Sequence, residues 1–361
     1  MALSKILPAS QEQYAGARNL IINGAMTVHQ RSGTITADSS GKHSLDRWQL
    51  FANGDGGFDV TQSTEAPVNF KNSLKVDVTS ADTSIDAAAY KLLYYSFEGY
   101  DMSHLEWGTA NAKTVTISFW VRSTTTGDHS VGIRGGDPSY NSYMTTYNIS
   151  SANTWEYKTV TIPGDTTASF TYNSNNTRWG TLAFSFATGS TLTVTANETF
   201  ETGNLVTATG AVNLFSSASN DWYITGVQLE VGEATPFEHR SFGDELARCQ
   251  RYYYRHADGG DLSTASVGTG TMYSASALMC TVSFPVRMRA TPTLDHLNAT
   301  NAYRFWRNSG SDYFNNFDYL FDAHPFGAAI QADSNVSGTA GHGGRIILGG
   351  SSAYIAFDAE L

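Results

Sequence analysis

The sequence predicts an all-β protein: a jelly-roll β-sandwich, a short connector helix and a smaller C-terminal β-domain. Three observations carry this expectation. Charged residues make up 15% of the chain, against roughly 25% in ordinary globular proteins, and Gly, Ser, Thr and Asn fill the segments between apolar runs. Short stretches alternate apolar and polar residues and are separated by Gly, Asn, Asp and Ser clusters, the pattern of a sandwich or barrel. One stretch, from Ser241, has helical spacing with a marked start. At 361 residues the chain also exceeds the roughly 250–300 residues beyond which a single core stops growing, so more than one core is expected.

Taken in order, residues 1–18 read as an N-terminal arm, with Ile6 and Leu7 as its apolar anchors ahead of Pro8. Residues 19–240 read as the sandwich. Its best strand is "KTVTISFWVRS", where Val115, Ile117, Phe119 and Val121 share one face and Thr114, Thr116, Ser118 and Trp120 the other. About ten such segments follow one another across loops too short for crossover helices, which favours antiparallel pairing. Residues 241–256 read as the connector helix: Ser241 can cap it, Asp244 can complete a capping box, and Phe242, Leu246, Cys249 and Tyr253 form one apolar face. That face either packs on its own sandwich and joins it to the next domain, or meets copies of itself around a symmetry axis. Residues 257–361 resume the strand pattern, with Pro285 marking an edge or bulge and aromatics gathered in "AYRFWRNSGSDYFNNFDYLF".

The net charge of -11 repels phosphate backbones, so nucleic acid is excluded as an expected partner. No run approaches 18 uninterrupted apolar residues, so no membrane insertion is expected. Cys249 and Cys280 belong to no CxxC pair and read as buried thiols. The nine histidines are scattered, with no HExxH and no zinc-ligand spacing. Neither a complete dinucleotide fingerprint nor a GxSxG elbow occurs, so no catalytic residue, cofactor or metal is assigned and the protein is not expected to be an enzyme. A glycosidase carboxylate pair stays open at this level, because it is a matter of placement in space.

Aromatic residues are the more informative class. Trp120 sits on the Thr/Ser face of its strand, while Trp107, Tyr140, Tyr143, Trp179 and Trp306 lie in or beside polar, loop-like segments. Flat rings at such places stack on sugar rings while neighbouring Asn, Asp and Arg read the hydroxyls. These six are the candidate glycan-binding residues. The competing reading is that they pack beneath loops or at subunit contacts.

Six blocks occur in order: "NLIINGAMTVHQR", "SLDRW", "SLKVDVTSADTSIDA", "WGTANAKTVTISFWVRS", "WEYKTVTIPGDTT" and "WYITGVQLEVGEATPFEHRSFGDELARCQRYYY". Together they resemble the tail-fibre or receptor-binding virion proteins of tailed bacteriophages, especially those of marine bacteria and cyanobacteria. "NLIINGAM" and "YITGVQLEVG" also resemble the first and last strands of jelly-roll carbohydrate-binding modules. Those modules often hold a structural calcium near these strands, but Ala25 stands where an acidic residue is frequent, and no calcium ligand is carried over. The resemblance implies a homotrimer on the virion surface, attached to other virion proteins through the Ile6 and Leu7 arm and recognising host cell-surface glycan without catalysis. The arm is short and no repetitive shaft follows it, so a capsid or tail decoration with a purely structural role is the alternative. A glycan-degrading depolymerase is the second.

Overall fold

The computed structural model describes residues 18–31, 33–37, 41–308 and 310–361. Ile6 and Leu7 of the arm lie outside the described residues. The chain divides into two compact units between Phe242 and Gly243.

The first unit is built from β1 (Ile35–Ala37), β2 (Lys42–His43), β3 (Trp48–Asn53), β4 (Gly57–Ser63), β5 (Ser73–Ser80), β6 (Tyr90–Glu98), the short α1 (Gly99–Met102), β7 (Val115–Ser123), β8 (Gly127–Gly135), β9 (Asn141–Ile149), β10 (Glu156–Ile162), β11 (Arg178–Thr188), β12 (Phe200–Thr202) and β13 (Asp221–Val231). They form two antiparallel sheets, a six-stranded one in the order β1-β4-β5-β13-β7-β10 and a seven-stranded one in the order β12-β9-β8-β11-β6-β3-β2. From β6 to β13 the chain passes repeatedly between the sheets, so sequence neighbours such as β6 and β7 lie in opposite sheets. This is the predicted jelly-roll sandwich.

The alternation read in β7 is what closes it. Val115, Ile117, Phe119 and Val121 are fully buried. Phe119 meets Phe184 of the opposite sheet edge-on at 5.3 Å between ring centroids. Trp222 packs on Phe184 and Phe186 of the opposite sheet, so large rings from both sheets interdigitate, and Trp48 packs on Tyr95 within the seven-stranded sheet. Charged side chains are buried in this unit as well, among them Lys91, whose Nζ lies 3.3 Å from the Asp82 carboxylate.

The second unit contains β14 (Tyr253–Asp258), β15 (Ser266–Met272), β16 (Leu278–Ser283), β17 (Thr293–His296), β18 (Tyr303–Arg307), β19 (Gly310–Phe314), β20 (Tyr319–His324), β21 (Gly327–Ala332), β22 (Gly343–Leu348) and β23 (Tyr354–Asp358). A three-stranded sheet, β14-β23-β17, accompanies a seven-stranded sheet, β19-β18-β22-β15-β16-β21-β20. Tyr303, Phe305, Phe314, Ile330, Ile346 and Phe357 belong to its own core. β16 ends two residues before Pro285, where the missing amide ends strand pairing.

The connector differs from its expectation. The helix, α2 (Phe242–Gln250), is shorter than 241–256, because the chain turns at Arg251 and Tyr252 and enters β14. Tyr253 therefore pairs with Asp358 in a sheet and is not part of a helical face. Phe242 is 60% exposed and Leu246 only partly covered, while Glu245 and Cys249 are the buried helical residues. The expected stripe of Phe242, Leu246, Cys249 and Tyr253 does not exist as one surface. The two cysteines are buried and form no disulfide, and burial pushes the Cys280 thiol up to about 11. No helix among the described residues is long and apolar enough to cross a membrane.

Candidate functional site

The seven-stranded sheet of the first unit has two occupied faces. One packs into the sandwich core. On the other, cross-strand registers align Gln49, Tyr94, Ala183, Gly132 and Met144 in a single row. Ala183 and Gly132 are the small residues at the middle of that row, and the Met144 side chain lies over Gly132, its Sδ 2.6 Å from where a Cβ on that glycine would stand. The next row places Phe51 opposite Leu92. Residues 189–211 fold over part of this face, and Val194, Val206 and Ala208 bury themselves against Leu92, Tyr94 and Met144. The cover is tied to β8 by Ala208 N–H donating to Ser130 Oγ at 2.8 Å, and within itself by Val206 N–H donating to Leu192 O at 2.8 Å. It is also tied to itself: Glu201 accepts from the amides of Thr195 and Ala196. Burial alone would raise the Glu201 pKa, but those bonds hold it below the ordinary carboxylate value.

What the cover leaves open is a pair of adjoining clefts. The first, about 160 Å³, is lined by Phe51, Tyr90, Leu92, Tyr94, Arg134, Leu192, Asn204 and Val206. The second, about 340 Å³, is lined by Arg134 and Tyr140 together with Asp137, Asn173, Arg178 and Thr181 among others. Arg134 belongs to both. Its guanidinium carbon stands 4.9 Å from the Tyr94 ring centroid and 4.4 Å from that of Tyr140, and its Nε donates to Thr181 Oγ1 at 3.2 Å. Burial pushes the Tyr94 hydroxyl up to about 12 against the opposing pull of Arg134, so the ring stays neutral. The walls thus combine aromatic faces, amides and cations, the chemistry of a polar-ligand groove.

Of the residues expected to bind glycan, Tyr140, half-buried, and Trp179, almost wholly buried, both line the larger cleft of this groove. Trp107, Trp179 and Tyr143 are corrected: they are 4%, 3% and 5% exposed, which denies a sugar ring access to their faces. They pack on one another's neighbours at one end of the sandwich. Trp107 contacts Trp179, Tyr172 and Phe200, Tyr143 contacts Phe200, and the Trp107 indole N–H donates to Lys113 O at 2.8 Å. Trp120 is on the outer face of the six-stranded sheet, half-covered by Tyr157 across the β7–β10 pair. Trp306, 50% exposed, lies in the second unit between Arg304 and Arg345. The structure therefore does not gather these six into one site. Phe51, Tyr90, Tyr94, Arg134, Arg178 and Asn204 were missed. The available signal was Arg134 itself, a cation at a polar phase of the alternating "HSVGIRGG". Among the described residues no group of three or more His, Cys, Asp or Glu is placed to hold a metal ion.

No protein-family model matches the sequence, and no curated protein matches it. Among solved structures the chain is similar to the enzymatically active domain of tailspike protein 4 of bacteriophage CBA120, with 13% identity and a TM-score of 0.32 over 60% of this chain and 22% of that one. It thus spans about a fifth of that domain's chain. It is also similar to the family 11 carbohydrate-binding module of a cellulosomal cellulase of Clostridium thermocellum, at 12% identity and a TM-score of 0.29, covering 58% of this chain and 98% of the module. A third similar structure is TmCBM61 in complex with β-1,4-galactotriose, at 10% identity and a TM-score of 0.29, covering 60% of this chain and 100% of that one.

Proposed function

We propose that this chain is a glycan-binding virion protein of a tailed bacteriophage, a tail fibre or receptor-binding appendage that holds host surface saccharide in the groove of the seven-stranded sheet without catalysis. The observation that carries the binding reading is the groove: Phe51, Tyr90 and Tyr140 offer ring faces beside Asn204 and Asn173, in two adjoining clefts that share Arg134. Aromatic faces stack on the apolar faces of sugars, and amides and guanidinium groups bond the hydroxyls around them. The non-catalytic reading is supported by the cleft walls, in which Asp137 is the only carboxylate among the described residues, whereas glycoside hydrolysis ordinarily uses two. The phage assignment, the virion location and the homotrimer are supported by the six ordered sequence blocks alone.

The test is a saccharide array, including host envelope polysaccharide, probed with the intact chain. Binding is expected, and Tyr140→Ala is expected to weaken it about tenfold, or roughly 1.4 kcal/mol, with the unfolding midpoint unchanged. A chain that captures no saccharide, or a Tyr140→Ala variant that binds as well as the parent, overturns the groove. Light scattering of the same sample reads the trimer as three times the chain mass, and localisation on labelled particles reads the virion position.

A further inference from the structure

The groove contains a cation that the fold does not neutralise. Arg134 is 7% exposed. Burying a guanidinium is unfavourable unless it is paired and hydrogen-bonded. Other buried cations of the same unit are met by protein acceptors: Lys91 by the Asp82 carboxylate at 3.3 Å, and Arg47 by Ser96 O at 2.6 Å. Arg134 has Thr181 Oγ1 on Nε and ring faces on either side. Its two Nη groups have no hydrogen-bond acceptor and no carboxylate partner among the described residues, and the side chain lines both clefts.

A second arginine points the same way. Arg178 is exposed on the wall of the larger cleft and acts on the Tyr94 hydroxyl electrostatically. Asp137 lines that cleft as well, and makes no ion pair with either arginine. Two cations and one carboxylate stand here in a chain whose net charge is -11. The excess is local and faces a cavity. A guanidinium with two free Nη groups matches the two oxygens of an oxyanion, the strongest hydrogen-bonding arrangement available to it.

We infer that the saccharide held in this groove is acidic, with an oxyanion borne on the sugar, a carboxylate or a sulfate, seated on the Nη groups of Arg134 and drawn in by Arg178. The inference rests on the glycan-binding reading of the same cleft and adds the substrate class. The fold leaves the charge of Arg134 for the ligand to complete, while Tyr140 and Tyr94 hold the guanidinium plane in position.

The experiment is a calorimetric titration of the intact chain with three oligosaccharides of equal length: an oligogalacturonide, its carboxyl-reduced neutral form, and a sulfated galactan fragment. At least one acidic probe is expected to bind about tenfold or more tightly than the neutral one. Arg134→Gln is expected to bring that preference within about twofold and Arg178→Gln to reduce it partially. Raising NaCl from about 50 to 500 mM is expected to weaken the acidic probe selectively, since exposed charge is screened within a few ångströms at high salt. The tighter of the two acidic probes identifies the oxyanion. If Arg134→Gln fails to fold, Arg178→Gln and the salt series carry the test. Equal affinity for acidic and neutral probes, or a preference untouched by either substitution and by salt, overturns the inference and leaves the glycan-binding reading standing. The same holds if only neutral saccharides are captured on the array. A chain that binds no saccharide of any kind overturns both.

Discussion

His129 shows how a single residue of the sandwich registers pH. It is 1% exposed, its Nε2 lies 2.9 Å from Thr125 O, and its ring stacks on Tyr147 at 5.6 Å between centroids. Tyr147 in turn accepts from the Trp222 indole N–H at 3.1 Å, so the imidazole is part of the core's polar bonding. Burial holds the His129 pKa below its ordinary 6.5, and burial shifts His104, His256 and His296 the same way. The unfolded chain therefore takes up these protons at higher pH than the folded one. Stability from this source is complete above the ordinary histidine value, and is lost as pH falls through it toward the lower folded values. Carboxylates act in a different window. Burial would raise Glu156, but bonds from Lys158, Ser151 and Ser150 outweigh it and bring its pKa to about 2, so its contribution is lost only in acid. The denaturation midpoint is expected to fall between pH 7.5 and 5, and His129→Gln to flatten that fall. A midpoint that stays level over this range, or an unchanged slope in the variant, contradicts the argument.

At the scale of elements, β8 decides whether the groove exists. A Cβ at Gly132 would stand 2.1 Å from Tyr143 O and 2.9 Å from Met144 Cα. Gly132→Ala thus forces β9 away from β8, and is expected to lower the unfolding free energy by about 1–3 kcal/mol and to weaken saccharide binding, because Arg134 lies two residues along the same strand. Denaturant titration with a parallel binding titration measures both, and a variant as stable as the parent would refute the close approach. Elements with one apolar face were legible in the sequence: β7 shows its core face as Val115, Ile117, Phe119 and Val121, while Thr116 and Ser118 on its other face are buried as polar residues. β6 was legible as a strand but not for its faces, because Leu93 and Tyr95 enter the core while Leu92 and Tyr94 lie under residues 189–211. Apolar cover on both faces of β6 erases the alternation that would have pointed to the groove. The tryptophans misled for a related reason. Trp107 and Trp179 sit among turn residues, yet their segments fold inward over the end of the sandwich, a tertiary choice that local sequence does not encode. Tyr253 followed a helical spacing for one turn further than the helix runs, since its pairing with β23 depends on residues about a hundred positions away.

The whole molecule carries two cores, and each has its own aromatic centre. Leu93 is fully buried in the first unit and Phe305 fully buried in the second. Replacing either by Ala removes buried surface and leaves a cavity, a change that costs about 2–5 kcal/mol. The loss belongs to the unit whose core is opened, because opening free energies follow cooperative substructures. Phe305→Ala is expected to speed amide exchange in β14–β23 and to leave β3–β13 near parent values, and Leu93→Ala to do the reverse. The groove is made entirely of first-unit residues. Phe305→Ala should therefore bind saccharide as the parent does, and ligand should slow exchange in β6, β8 and β11 of both proteins alike. Loss of binding in Phe305→Ala, with β3–β13 still protected, would place part of the recognition in the second unit, where Trp306 stands exposed beside two arginines.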